Sequence, residues 1–209
     1  MVADLDALSI IRFHDGKFAE ADWPPEEATE PGPGPWPWIE ENHRFNTLLW
    51  NEEDQARRTD VDAAEIAAGK RRIDQANQKR NDAIEAIDEV ILTALKEVPR
   101  ARDARLNSET AGAMIDRLSI LSLKIHHMRE QTLRVDVSQE HVALCAARLQ
   151  RLRDQRKDLV SCLDTLLSEA ASGRVYFKMY RQFKMYNDAT LNPYLYGQRD
   201  AHASQGPAP

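Results

Sequence analysis

"SQEHVALCAARLQRLRDQRKDLVSCLDTLLSEAASG", residues 138–173, places Val142, Cys145, Leu149, Leu152, Leu159, Leu163, Leu166 and Ala170 at alternating three- and four-residue steps. Only Arg156 interrupts the row. This is the period of a helix that buries one narrow stripe against other helices. Gly173 follows the last periodic residue, where a left-handed residue ends a helix. A helix from about 138 to 172 would be roughly 50 Å long, so the fold must supply partners of similar length.

The segments before it supply them. Ala111, Met114/Ile115, Leu118, Leu121, Ile125 and Met128 predict a helix over about 108–133. Ile73, Asn77, Asn81, Ile84, Asp88, Ile91 and Leu95 form the seam of another, from about Asp62 to Glu97, stopped by Pro99. Asp62 and Glu65 stand three apart, as in a capping box, so the chain breaks near 59–62. Ile39, His43, Asn46, Leu49/Trp50 and Glu53 predict a helix over 39–58. Residues 23–38, "WPPEEATEPGPGPWPW", hold six prolines and two glycines and read as a linker without helix. Upstream, "LDALSIIRF" suits one short helix. The expected fold is all-α: an elongated antiparallel bundle over 39–196, an acidic, Pro-rich arm at 1–38 and a disordered tail at 197–209.

Residues 177–188, "FKMYRQFKMYND", repeat four letters six positions apart. Six residues turn a helix by about 600°, so the copies face different ways and the duplication is not a repeated binding unit. The expected helix here gathers Val175, Tyr176, Met179, Tyr180, Phe183 and Tyr186 on one side and Arg174, Lys178, Arg181 and Lys184 on the other. The basic stripe is either solvated or a site for an anion such as an acidic lipid head.

At 209 residues, 42% hydrophobic, the chain is long enough for one core and short for two. Its longest apolar runs, such as "LSILSL" at 118–123, fall far short of the about 20 residues of a membrane-crossing helix. The N-terminus lacks the pattern of a secretory signal, which predicts a cytoplasmic protein. Cys145 and Cys162, roughly 25 Å apart on one helix, are expected to be reduced core residues. Residues 1–42 carry 10 acidic and 2 basic side chains, leaving 24 acids and 26 bases for the remainder. So slight an excess argues against a nucleic-acid binder but permits a local anion site.

Polar residues in the seams are the first candidates for function. Asn77, Asn81 and Asp88 share a stripe with isoleucines, with Glu85 beside them, and each buried polar group without a partner costs about 1–3 kcal/mol. Arg156 can meet Glu85 or Asp88 as a buried ion pair that fixes register. Alternatively, these groups converge on a ligand between helices. Trp50, Glu53, Asp54 and Arg57 form a second cluster, suited either to a sugar or base stacked on the indole or to an anchored tryptophan beside a solvated charge run. His126, His127 and His141 read as core or surface residues, since none follows a glutamate by three positions as helical di-iron sites require. Motifs for zinc hydrolysis, phosphate loops and serine nucleophiles are absent, so neither a metal nor a cofactor is expected.

At "NHRFNTLLWNEEDQARR", "IDQANQKRNDAIEAID", "IDRLSILSLKIHHM" and "FKMYRQFKMYNDATLNPYLY" the chain resembles a bacterial family of domains of unknown function, that numbered 4254. The resemblance covers about residues 38–196. It implies a place among proteins of lipopolysaccharide or other envelope-glycan synthesis. "DRLSILSLKI" is also similar to a motif of small helical proteins found beside glycosyltransferases. The expected function is an accessory protein binding a sugar-phosphate or nucleotide-sugar. Arg57, Arg156 and Lys184 would neutralise phosphate, Asn77, Asn81 and Asp88 would bind hydroxyls, and Trp50 would stack. Glu53, Asp54 or Glu85 would serve as acid or base. The alternative is a scaffold that binds a glycosyltransferase or a second copy of itself.

Overall fold

A computed structural model describes residues 5–25, 32–182, 188 and 190–194. Five helices follow in order: α1 (Ala7–Lys17), α2 (Trp36–Gln55), α3 (Ala63–Ala94), α4 (Ala111–Thr132) and α5 (Gln139–Ala171). Two short strands, β1 (Arg105–Asn107) and β2 (Val175–Phe177), flank the α4–α5 pair. The described residues thus form an all-α bundle with one small strand pair. Residues up to Met179 make one compact unit and those from Tyr180 onward a second. In the second, Asp188 accepts from the Thr190 backbone N–H at 2.7 Å and holds a local turn.

The helix starts follow from their caps. Asp62, Thr110 and Ser138 each accept a backbone N–H three residues on, satisfying one of the donors a helix N-terminus leaves open. Asp6 does the same for α1. The linker expected through residue 38 ends earlier, because α2 begins at Trp36 with Pro37 in its first turn. Proline is tolerated there, since its missing N–H would have had no helical partner.

Helix α4 is the centre of the unit that runs up to Met179. It packs against α1, α2, α3 and α5, and Ile115, Leu118 and Leu123 have no or almost no exposed surface. Leu159, Leu163, Leu166 and Leu167 of α5 close over it, so the stripe in 138–173 is the buried one. Arg156 stays at its edge. Cys145 is buried, but Cys162 lies off the stripe and is exposed, contrary to the expectation of two core cysteines. Helix α1 contributes Ala7 and Ile10 to this core, with Leu5 just before it. A smaller cluster of Phe45, Leu49, Ile73 and Ala76 joins α2 to α3.

The expected amphipathic helix at 174–187 is not formed across its described part. Gly173 adopts φ 72°, α5 stops, and Val175–Phe177 pair in parallel with Arg105–Asn107. Val175 and Phe177 are buried with Tyr176 between them half-buried, a period of two rather than 3.6. Arg174, Lys178 and Arg181 are exposed, while Lys184 lies outside the described residues. A Cβ at position 173 would collide with the Pro99 carbonyl oxygen, so this glycine serves both the turn and the close approach. Because β1 precedes α4 and β2 follows α5, their pairing clips the two helices together at the end where one starts and the other stops.

Candidate functional site

The inner face of α2 carries Asn42, His43 and Asn46, all buried. Their partners come from α4. Asp116 Oδ1 accepts from the Asn42 and Asn46 amides, each at 2.9 Å, and Asn46 also donates to Ser119 Oγ at 3.0 Å. His43 Nδ1 shares a hydrogen bond with the same hydroxyl at 2.8 Å. Arg80 Nε of α3 stands 3.9 Å from Asp116 Oδ1, near enough to balance its charge but too far to hydrogen-bond. Apart from His43 Nε2 and Arg80 Nε, the buried side-chain nitrogens and oxygens of this layer find partners within the protein. The layer between α2 and α4 therefore fixes the register of the two helices.

The α3 residues divide. Asn81 is buried and takes a 3.4 Å contact from Arg80 Nη2. Asn77 and Glu85 are half-buried. Asp88 is 2% exposed and accepts the Gly112 N–H at 2.7 Å, which makes it a cap for the first turn of α4. Burial pushes its carboxyl up to about 6, against the hydrogen bonds from Thr110 and Gly112. Gly112 allows that approach: a Cβ there would lie 2.6 Å from the Ile84 carbonyl oxygen. Arg156 meets neither Glu85 nor Asp88. Its guanidinium binds Asp15 of α1 at 2.7 Å and reaches Ser122 at 3.4 Å. Asp88 and Arg156, expected to meet each other, thus have their partners on different elements, Gly112 of α4 and Asp15 of α1.

The other cluster does come together. Trp50, Glu53, Asp54 and Arg57 border a groove of about 270 Å³ with Asn46 and Arg80. Arg57 donates to the Glu53 carboxylate one turn away at 2.9 Å. Trp50 and Asp54 also belong to a larger open groove, about 670 Å³, between α2, α4 and α5. Its lining includes Trp50 stacked on His127, ring centres 4.6 Å apart and planes within 11°, together with Met128 and Leu152. Lys124, Arg148 and Arg151 stand around it, with Gln131 and Gln155 as amide partners. Among the described residues, those three cations make no ion pair, whereas Arg57, Arg58, Arg72 and Arg134 all do. An aromatic stack beside three cations and one carboxylate can hold a flat or sugar-like body that carries negative charge.

Sequence periodicity hid these groove residues in plain sight. Arg148, Arg151 and Gln155 recur at helical spacing beside Leu152, and Lys124, His127/Met128 and Gln131 do so on α4. Each row reads as a solvated face until the two helices are laid together.

One further group has donor atoms suited to a cation. His126, His127 and Glu130 place one ligand atom each within 4.8 Å of one another at the end of α4. The sequence holds the glutamate after the histidines, the reverse of the order that helical di-iron sites use. Behind this group, Phe18 stacks on His126 at 4.2 Å. His14 of α1 stacks on His43 at 4.5 Å, fully buried, and neither of its ring nitrogens has a hydrogen-bond partner among the described residues.

These features define a helix-bundle protein with a largely saturated polar core layer and an aromatic, cation-rimmed groove. Residues 36–179 match the family described as "Protein of unknown function (DUF4254)", and the chain belongs to that family. No curated protein and no solved structure matches it. No helix among the described residues is long and apolar enough to cross a membrane.

Proposed function

We propose that the protein binds a sugar-phosphate or nucleotide-sugar in the Trp50 groove, as a cytoplasmic accessory protein of lipopolysaccharide-type envelope-glycan synthesis. The observation that carries this reading is the Trp50–His127 stack lining one groove with Lys124, Arg148 and Arg151. A sugar or base gains from an aromatic face, and a phosphate gains most from guanidinium groups that are not already neutralised. The groove is of the size that small ligands use, about 300–1,000 Å³. Asp54 suits a hydroxyl pair on the sugar. The ligand role passes from the α3 seam, where Asn81 and Asp88 have partners within the protein, to the faces of α4 and α5.

Calorimetric titration with a panel of nucleotide-sugars and sugar-phosphates tests it. A ligand should bind, and the Arg148→Ala/Arg151→Ala double variant should weaken it by about 10- to 100-fold, 1.4–2.8 kcal/mol. Absence of heat and of any melting shift across the panel at millimolar ligand counts against the proposal.

A second reading, a scaffold for a glycosyltransferase or for a second copy of the chain, draws on the α4–α5 turn. Leu133 and Val135 are 70% and 98% exposed there. Sedimentation of wild type and of a Leu133→Ser/Val135→Ser variant separates the two: self-association lost in the variant supports the scaffold.

A further inference from the structure

We propose that His126, His127 and Glu130 form a binding site for a first-row divalent cation of the zinc class at the C-terminal end of α4. The three side chains come from one helix, Glu130 lying three and four residues after the histidines, the two spacings that bring helical neighbours face to face. His127 Nδ1 is 2.9 Å from Glu130 Oε2, and His126 Nε2 is 3.6 Å from Glu130 Oε1. A tetrahedral ion bound at about 2.1 Å separates its ligand atoms by about 3.4 Å. Those two contacts reach different oxygens of the carboxylate, but one ligand atom from each of the three side chains can be chosen with all three within 4.8 Å of one another, so modest rotations of the rings and the carboxylate would bring a common set to that spacing.

The rings are held from behind. Phe18 lies on His126 with planes 19° apart, Trp50 lies on His127, and the two imidazoles stand at 82° to each other. Braced rings lose little freedom when they ligate, which is how supporting residues raise the affinity of a site. A plain histidine–glutamate ion pair needs only one imidazole; the second, fixed at right angles and sharing the same carboxylate, is what that account leaves unused.

Two imidazoles and a carboxylate are a donor set of zinc and non-haem iron sites, and they leave coordination positions for an outside donor. His127 also walls the larger groove, so the ion would stand at the groove's edge. The site does not depend on the sugar-phosphate reading, since the metal alone is the probe.

Chelator-stripped protein should be titrated with Zn²⁺ by calorimetry and with Co²⁺ by visible absorption. One equivalent per chain is expected, with a Kd of about 1 µM or tighter. The Co²⁺ complex should show the intense bands of a low-coordinate site with nitrogen and oxygen ligands. His126→Gln and Glu130→Gln should each weaken binding about tenfold or more, with melting temperatures of the metal-free proteins unchanged. His141, whose Nε2 lies 3.4 Å from Cys145 Sγ, is the competing donor pair elsewhere in the chain. His141→Gln should leave the titration intact. The proposal is overturned if stripped protein takes up no metal, if the two α4 variants bind as wild type does, or if only His141→Gln abolishes uptake.

Discussion

The layer between α2 and α4 and the groove between α2, α4 and α5 lie on the same central helix, one to three turns apart, and use polar side chains in opposite ways. In the layer, Asp116 satisfies two amides and Ser119 serves both an amide and an imidazole. At the groove, Lys124, Arg148 and Arg151 face water with no ion-pair partner among the described residues. Burial and saturation mark groups that hold the fold together. Exposure without pairing, beside an aromatic stack, marks groups available to something else.

The sharpest way to break this contrast is to remove the hub of the layer. Asp116→Ala leaves the fully buried Asn42 amide without its acceptor and takes one acceptor from the Asn46 amide, which keeps Ser119 Oγ. At about 1–3 kcal/mol for the unsatisfied amide, and about 1 kcal/mol for the second bond lost, a loss of about 2–4 kcal/mol is expected in urea unfolding, with an unchanged slope. A loss under about 1 kcal/mol would mean that the layer is hydrated, and the contrast with the groove would disappear.

Acid should come next in size. Burial lowers the His43 imidazole to about 3 from 6.5, and fully buried His14 is pushed the same way, first by burial and then by the charges of His43 and Arg156. A base whose folded pKa is depressed binds fewer protons folded than unfolded. Its stabilisation is complete above about pH 6.5 and is lost as pH falls toward 3. Asp88 has the opposite sign: raised to about 6 from 3.8, it favours the folded state progressively as pH drops through that window. Between pH 7 and pH 5, His43 costs roughly 2 kcal/mol and Asp88 returns roughly 1, so the protein should weaken on acidification. Asp88→Asn should deepen that loss, and His14→Leu should flatten it. A stability that rises from pH 7 to pH 5 would show that neither imidazole is held neutral.

Gly112→Ala should follow, at about 1–3 kcal/mol, because the added carbon meets the Ile84 carbonyl and the Asp88 carboxyl of α3. Its cost is in backbone separation, not in hydrogen bonds. The Asp88–Gly112 bond should loosen with it, visible as faster amide exchange at the first turn of α4.

Local rules made most of the bundle legible. The stripe in 138–173, the capping aspartate at 62 and the stop at Gly173 each depend on residues within one or two turns, and each stands where the periodicity put it. What escaped depends on distance in the chain. Arg156 sits in an apolar seam and invites a partner on α3, yet its partner is Asp15, 141 residues away on a helix that composition alone assigns to an arm. Tyr176 and its neighbours carry both an aromatic face and a basic one, enough for an amphipathic helix, until pairing with Arg105–Asn107 imposes a strand. The candidate site divided along the same line. Trp50, Glu53 and Asp54 lie at the end of α2 with Arg57 just beyond it and are visible as a cluster, whereas Arg148 and Arg151 become part of it only once α5 is docked on α4.

The smallest expected effect is also the most discriminating. Lys124 is exposed on α4 at the groove, and among the described residues it makes no ion pair or hydrogen bond. Lys124→Ala should leave unfolding free energy within about 0.5 kcal/mol of wild type, since a solvated surface lysine contributes little to the fold. If the groove binds phosphate, the same change should reduce affinity by a few-fold and make the remaining binding less sensitive to salt. A residue that costs nothing to the fold but counts in a titration belongs to the groove's class. Should Lys124→Ala destabilise the protein as Asp116→Ala does, the lysine is a member of the structural layer, and the boundary between the two regions must be drawn nearer to Trp50.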